Sequence, residues 1–176
     1  MNGRTPRAIE SDIADAAPGD VVCVRSGFYD SGPVEIRRSG RPDAPIEVRA
    51  LGRVVLRNVV IDANHVSLIG FEVTSPPGGV AGDEPTPGVS LRGTGIAVSR
   101  NLVHDTAGDG IACARKSPSC VDAVISRNVV QRADGSGIDV LGRDDRVVRN
   151  DVSGSVRVRA NDADVIRFFG SGHVIR

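Results

Sequence analysis

Apolar residues along this chain come in short β-branched runs, set apart by turn-forming residues. Val21–Val24, Val34–Ile36, Ile46–Ala50, Val54–Leu56, Val59–Ile61, Val66–Ile69 and Phe71–Val73 are bounded by Gly, Pro, Asp and Asn. Runs of this length and punctuation predict strands. Several are three or four residues long, too short to stand alone; stacked on copies of themselves at about 4.8 Å they become stable. One segment breaks the pattern. Thr5 is a suitable N-cap and Pro6 a suitable first helical residue, and Ile9, Ile13 and Ala16 then fall on one helical stripe before Pro18-Gly19-Asp20 stops it. A helix over 5–17 is expected, covering the first strands of whatever follows.

From residue 88 onward the strands repeat. Ser99-Arg100-Asn101-Leu102-Val103 returns as Ser126-Arg127-Asn128-Val129-Val130, and again as Val148-Arg149-Asn150-Asp151-Val152. Gly88-Val89-Ser90-Leu91 returns as Gly110-Ile111-Ala112-Cys113 and Gly137-Ile138-Asp139-Val140. The asparagines are 27 and then 22 residues apart, the glycines 22 and then 27. A period of this size marks a solenoid, and its strand content makes it all-β: a right-handed parallel β-helix, read as a single domain over 1–176 with rungs from residue 21. Asn101, Asn128 and Asn150 fall at one corner, where a stacked asparagine ladder would satisfy turn amides. Phe71 takes the same place one rung earlier, and Arg100, Arg127 and Arg149 point outward.

Two stretches leave the coil, Thr74 to Pro87 and Ala114–Ser119, and such excursions commonly wall a groove. The last stretch, Val165 to Arg176, reads as the start of a further rung without a cap. An open edge invites pairing. The expectation is therefore either a fragment of a longer β-helix or an end buried in a homodimer or end-to-end association.

Bulk charge directs nothing: 22 basic residues balance 22 acidic ones, so no nucleic-acid partner is expected. No run approaches the ~18 apolar residues of a membrane span, and no apolar leader is visible near Met1. Tryptophan is absent, which removes the flattest sugar-stacking platform. Cys23 lies within Val21-Val22-Cys23-Val24 and reads as a small core residue. Cys113 and Cys120 flank the second excursion; a disulfide and two free thiols are both open.

The opening Ala14-Asp15-Ala16-Ala17-Pro18-Gly19-Asp20-Val21-Val22, with Gly27-Phe28-Tyr29, Ser39-Gly40 and Ala44-Pro45-Ile46-Glu47-Val48, resembles the start of right-handed parallel β-helix proteins. The nearest in style are the pectate lyase and chondroitinase-B-like polysaccharide lyases. The matching positions build the coil, so the resemblance is specific for fold and open on activity. It implies an acidic, uronate-containing polysaccharide as partner and substrate, β-elimination as reaction, and an extracellular or periplasmic location.

That chemistry needs a base to remove the proton beside a carboxylate, and positive charge to neutralise that carboxylate. In such lyases Ca²⁺ held by aspartates often supplies the charge. Lys116 is the only lysine and so the lysine base candidate, beside Arg115. Arg132, Arg143 and Arg167 are alternatives as base, and these arginines with Arg115 could grip a uronate carboxylate as forks. Rung alignment places Asp109 with Ser136 and Ala112 with Asp139. Asp105, Asp109 and Asp134 could then share a corner as Ca²⁺ ligands, or serve as turn formers beside glycines. His104 abuts Asp105, a pair suited to acid–base work, although neighbours in a regular strand face opposite ways. His65 reads as a turn. A glycoside hydrolase would use acids such as Asp134, Asp139 and Asp164 instead. A non-catalytic polysaccharide-binding module and an inactive fragment of a larger enzyme remain alternatives.

Overall fold

The computed structural model describes residues 5–75, 86–113, 119–158 and 163–176. After helix α1 (Pro6–Asp15) the chain winds in parallel rungs. The first is β1 (Val21–Tyr29) and β2 (Val34–Ile36); the second is β3 (Ile46–Arg57) and β4 (Val59–Asp62). The third is β5 (Val66–Ile69), β6 (Glu72–Ser75) and β7 (Val89–Thr94). The fourth is β8 (Ala97–Ser99), β9 (Leu102–Thr106), β10 (Ile111–Cys113) and β11 (Cys120–Val121). The fifth is β12 (Val124–Ser126), β13 (Val129–Ala133) and β14 (Ile138–Arg143). The sixth is β15 (Arg146–Val148), β16 (Asp151–Ser153) and β17 (Ile166–Ser171), and β18 (Val174–Ile175) lies one rung further. The chain is a right-handed parallel β-helix with a short N-terminal helix.

The rungs superpose as three faces. On the first, Val48, Leu68, Val98, Ile125 and Val147 stack in register. On the second, Leu56, Val73, Val103, Val130 and Val152 do so. On the third, Ile36, Ile61, Leu91 and Cys113 form the column. Strand alternation turns each of these side chains inward, and nearly all are buried in one continuous core. At about 1.5–3 kcal/mol for each fully buried aliphatic side chain, these columns are the main stabilising term.

The helix covers the first rung. Ile9 and Ile13 enter the core, and the Glu10 carboxylate accepts the Glu35 backbone N–H at 2.8 Å. Thr5 is the N-cap residue but its side chain makes no capping hydrogen bond, and the helix stops at Asp15. Two runs that the sequence separates, around Ile46 and Val54, are one strand, β3, which bends through Gly52 at φ 81° and serves both the first and second faces. Cys23 is exposed, contrary to the expectation of a core residue. Val24 is the inward residue, so alternation turns its neighbour Cys23 out.

The expected ladder is present. Asn101 Oδ1 accepts the Phe71 N–H at 2.9 Å, Asn128 Oδ1 the Asn101 N–H at 3.0 Å, and Asn150 Oδ1 the Asn128 N–H at 2.9 Å. Their amide nitrogens donate to Leu68, Val98 and Ile125 carbonyls. The preceding residue is left-handed at each of these corners: Gly70, Arg100, Arg127 and Arg149 have φ between 55° and 81°.

Candidate active site

The third face carries three of the candidate residues, Asp139, Arg143 and Arg167. On β14, Ile138 and Val140 point into the core and Asp139 points out. Directly below it in register is Arg167 of β17, and directly above is Ala112 of β10. Arg167 grips Asp139 as a fork, Nε to Oδ1 at 3.2 Å and Nη2 to Oδ2 at 2.7 Å, with its guanidinium 5.8 Å from the Phe169 ring centroid. Although both occupy outward positions, Asp139 is 1% and Arg167 8% exposed. An ion pair this dry holds together because its Coulomb attraction is little screened and its hydrogen bonds offset desolvation. Arg143 closes the same strand, exposed, between Val121 and Ser171 in register.

A disulfide joins Cys113 and Cys120, with Cα atoms 5.6 Å apart and both residues buried. It bridges β10 and β11, which both pair with β7 and β14. Both anchors of the segment between them therefore lie on the third face, Cys113 next to Ala112, which is one rung from Asp139. Arg115 and Lys116 belong to that excursion and lie outside the described residues.

The second face carries a different constellation. His104 Nδ1 lies 2.6 Å from Asp105 Oδ2, and Nε2 lies 3.3 Å from Glu72 Oε1. Arg132, one rung below, binds Asp105 through Nε and Nη2 at 2.7 and 2.6 Å, and Arg53 binds Glu72 through Nε and Nη2 at 2.7 and 2.9 Å. Regular alternation would set His104 and Asp105 on opposite sides. Asp105 instead has φ 51° and Arg132 φ 55°, where the β6–β9 register slips by one residue. Such a bulge re-aims the side chain, and Asp105 turns to the side of its neighbour.

Arg132 first, then His104, holds the Asp105 carboxyl well below the usual carboxylate range. Arg53, with help from His104, lowers Glu72 despite its partial burial. With both ring nitrogens and both carboxylates engaged, the second face carries a continuous chain of polar contacts from Arg53 through Glu72, His104 and Asp105 to Arg132. Glu72 and Arg53 are its members that the sequence reading missed. Aligning rungs on Phe71 and Asn101 would have put Glu72 on the outward strip of His104, whereas Arg53 lies in no repeat.

The three aspartates expected to share Ca²⁺ do not converge. Asp105 is turned onto the second face by the bulge. Asp109, in the next turn, accepts the Ser136 backbone N–H at 2.7 Å, and Ser136 Oγ in turn accepts the Asp164 N–H at 3.2 Å. This confirms the rung alignment and gives Asp109 a turn-capping bond. Asp134 faces Arg157 at 3.7 Å. Among the described residues no three His, Cys, Asp or Glu side chains form a metal-sized group, so this trio does not fit the ion.

At the corner between the third and first faces, Asp145 and His173 meet out of water, Nδ1 to Oδ2 3.5 Å, with side chains 1% and 7% exposed. Asp145 Oδ1 accepts the Ala123 N–H at 2.8 Å, and burial pushes its carboxyl above the usual range. Among the described residues no helix is long and apolar enough to cross a membrane.

No known protein-family profile matches the chain, and no curated protein matches it in sequence. Its fold matches solved structures. An alginate lyase from a Paenibacillus species superposes with a TM-score of 0.75 at 16% identity, over 98% of this chain and 72% of that one. Pectate lyase Pel9A gives 0.61 at 15% identity, over 92% of this chain and 51% of its own. A rhamnogalacturonan lyase gives 0.56 at 13%, over 92% and 55%. The chain thus spans about half the length of the last two. The fold is that of β-helix polysaccharide lyases, as the coil-building residues suggest.

Proposed function

We propose that this chain is the coil of a lyase that cleaves an acidic, uronate-containing polysaccharide by β-elimination on its third face. The observation that carries the reading is the Asp139–Arg167 pair, dry at outward positions of the strand next to the disulfide-tied excursion that bears Arg115 and Lys116. In this reading Lys116 takes the proton beside the uronate carboxylate. The electron pair then forms the C4–C5 double bond and expels the glycosidic oxygen at C4, which takes a proton from water to become the hydroxyl of the new chain end. Arg143 and Arg115 neutralise the carboxylate as the carbanion develops. Asp139 holds Arg167 in a fixed orientation, so that its charge is already placed when the substrate arrives. The second-face residues His104 and Arg132 lie on another side of the coil and position no atom of this reaction. Work on such a polymer agrees with an extracellular or periplasmic site of action.

A non-catalytic polysaccharide-binding module is the second reading. It is favoured by the engagement of His104, Asp105, Glu72 and Asp139 in ion pairs, which leaves none of them poised as a base. The deciding experiment is the ultraviolet absorbance of unsaturated uronate on pectate, alginate and glycosaminoglycans, with and without added Ca²⁺. A rise abolished by Lys116→Ala or Arg143→Ala supports the lyase. A flat trace from folded protein that still binds the polymer establishes the module.

A further inference from the structure

We propose that the first face carries a second polymer-binding surface, a strip of arginines that takes the carboxylates of a polyuronate at a distance from the third-face site. The identity of the polyanion rests on the functional reading above; the strip itself does not. Arg100, Arg127 and Arg149 occupy the same corner position on three consecutive rungs, tied by the Arg100 N–H to the Ser126 carbonyl and the Arg127 N–H to the Val148 carbonyl. Their backbones are therefore one rung, about 4.8 Å, apart. All three are exposed. Beside them a groove of about 650 Å³ is lined by Arg127, Arg146, Arg149 and Arg176 together with Ser126, and no acidic side chain lines it.

Two features mark these arginines as a row. The first is that they are unpaired: among the described residues Arg100, Arg127, Arg146 and Arg149 make no ion pair, as is true of Arg25, Arg57 and Arg143 elsewhere, whereas Arg37, Arg49, Arg53, Arg132 and Arg167 all hold a carboxylate. Asp122 and Asp144, at the corner that precedes this face, do not reach them. The second is the backbone. The position is left-handed, a conformation that glycine adopts without strain and that Gly70 fills one rung earlier. Placing arginine there three times incurs strain, and stacking like charges one rung apart adds repulsion. An anion with regularly repeated charge relieves the second cost.

The chain as a whole is neutral, so the charge is a property of this strip and not of the molecule. Single-stranded nucleic acid needs aromatic platforms. The aromatic side chains lie elsewhere: Phe28 against Arg53, Tyr29 and Phe71 in the core, and Phe168 and Phe169 on β17. A row of guanidinium forks repeated on successive rungs suits the carboxylates of an extended polysaccharide.

The test is equilibrium binding of size-defined oligogalacturonate and oligomannuronate, with neutral dextran, single-stranded DNA and anionic phospholipid vesicles as comparators. Three proteins are compared: the parent, Arg127→Gly/Arg149→Gly, and Arg37→Gln/Arg41→Gln, which removes the same charge from elsewhere. Glycine suits the left-handed corner, so the first variant retains the fold, which circular dichroism checks. We expect the parent to bind the uronates in a salt-sensitive way, the glycine variant to bind roughly tenfold more weakly, and the control to match the parent. Equal weakening in both variants, an unchanged affinity in the glycine variant, or tighter binding of DNA or vesicles than of uronates overturns the strip. Absence of turnover in the parent defeats the lyase reading without touching this one, because binding is read directly.

Discussion

Arg132 holds Asp105 across one rung of the coil by a two-pronged grip that exists only because both residues sit at the same left-handed bulge. The pair lowers the carboxyl below its unfolded value. Its stabilisation is therefore complete at neutral pH and is lost as pH falls below the ordinary carboxylate range toward the folded value. Both side chains are nearly half exposed, so solvent screening keeps the contribution of the pair small. Asp105→Asn should show that loss in urea denaturation at pH 7, and its gap to the parent should narrow from about pH 5 to about pH 2. A gap that is constant over this range would mean that the ion pair is not its source.

The third-face pair behaves differently because it is dry. Arg167→Met takes the two-pronged grip of the guanidinium away from the buried Asp139 carboxylate, and should cost about 3–5 kcal/mol in chemical denaturation. Asp139→Leu/Arg167→Met removes both charges and should return to within about 2 kcal/mol of the parent. If the face is catalytic, the double variant remains folded and loses uronate elimination.

In the ladder, Asn128 touches three rungs. Asn128→Ala strands the Asn101 N–H and the Val98 carbonyl in the core, and should lower the unfolding free energy by about 2–4 kcal/mol. Its neighbour gives the contrast: Arg127→Gly suits the left-handed backbone and should change stability by less than about 1 kcal/mol. Urea midpoints for the two variants, side by side, measure the difference.

Asp145 supplies a pH signature of opposite sign. Burial raises its carboxyl, so the folded chain retains a proton that the unfolded chain releases, and stability should fall as pH rises from the ordinary carboxylate value through the folded one. Facing it are His173, Asp122 and Asp144. Asp145→Asn keeps an acceptor for the Ala123 N–H and should flatten this slope. Thermal midpoints taken in steps from pH 4 upward would show it, and an unchanged slope would assign the effect to another group.

The coil was legible in the sequence because its repeat is written in residues with one structural task each: asparagine for the corner, glycine and β-branched residues for the strand. The site was legible only residue by residue. Asp139 and Arg167 both stood out, but their stacking did not, since residues 154–165 between β16 and β17 show no repeat to count along. Alternation alone misjudged Cys23 by choosing the wrong phase. It also separated His104 from Asp105, because a left-handed backbone at a residue other than glycine leaves no mark in composition. The expected Ca²⁺ trio failed for a related reason: a bulge, a turn cap and Arg157 each claim one aspartate.

Between the first and second faces every corner from Gly70-Phe71 to Arg149-Asn150 has two residues, and between the third and first faces each corner from β4 onward has two or three, after nine between β2 and β3. Between the second and third faces the length runs from the single Asn58 to the thirteen residues between Ser75 and Val89. An insertion at a ladder corner would break the column of asparagine bonds above and below it, whereas one at the variable corner only lengthens a loop. Heritable change in length is thus channelled away from the ladder corner and chiefly toward the third face and its margins, where new binding specificity can be acquired while the scaffold remains as it is.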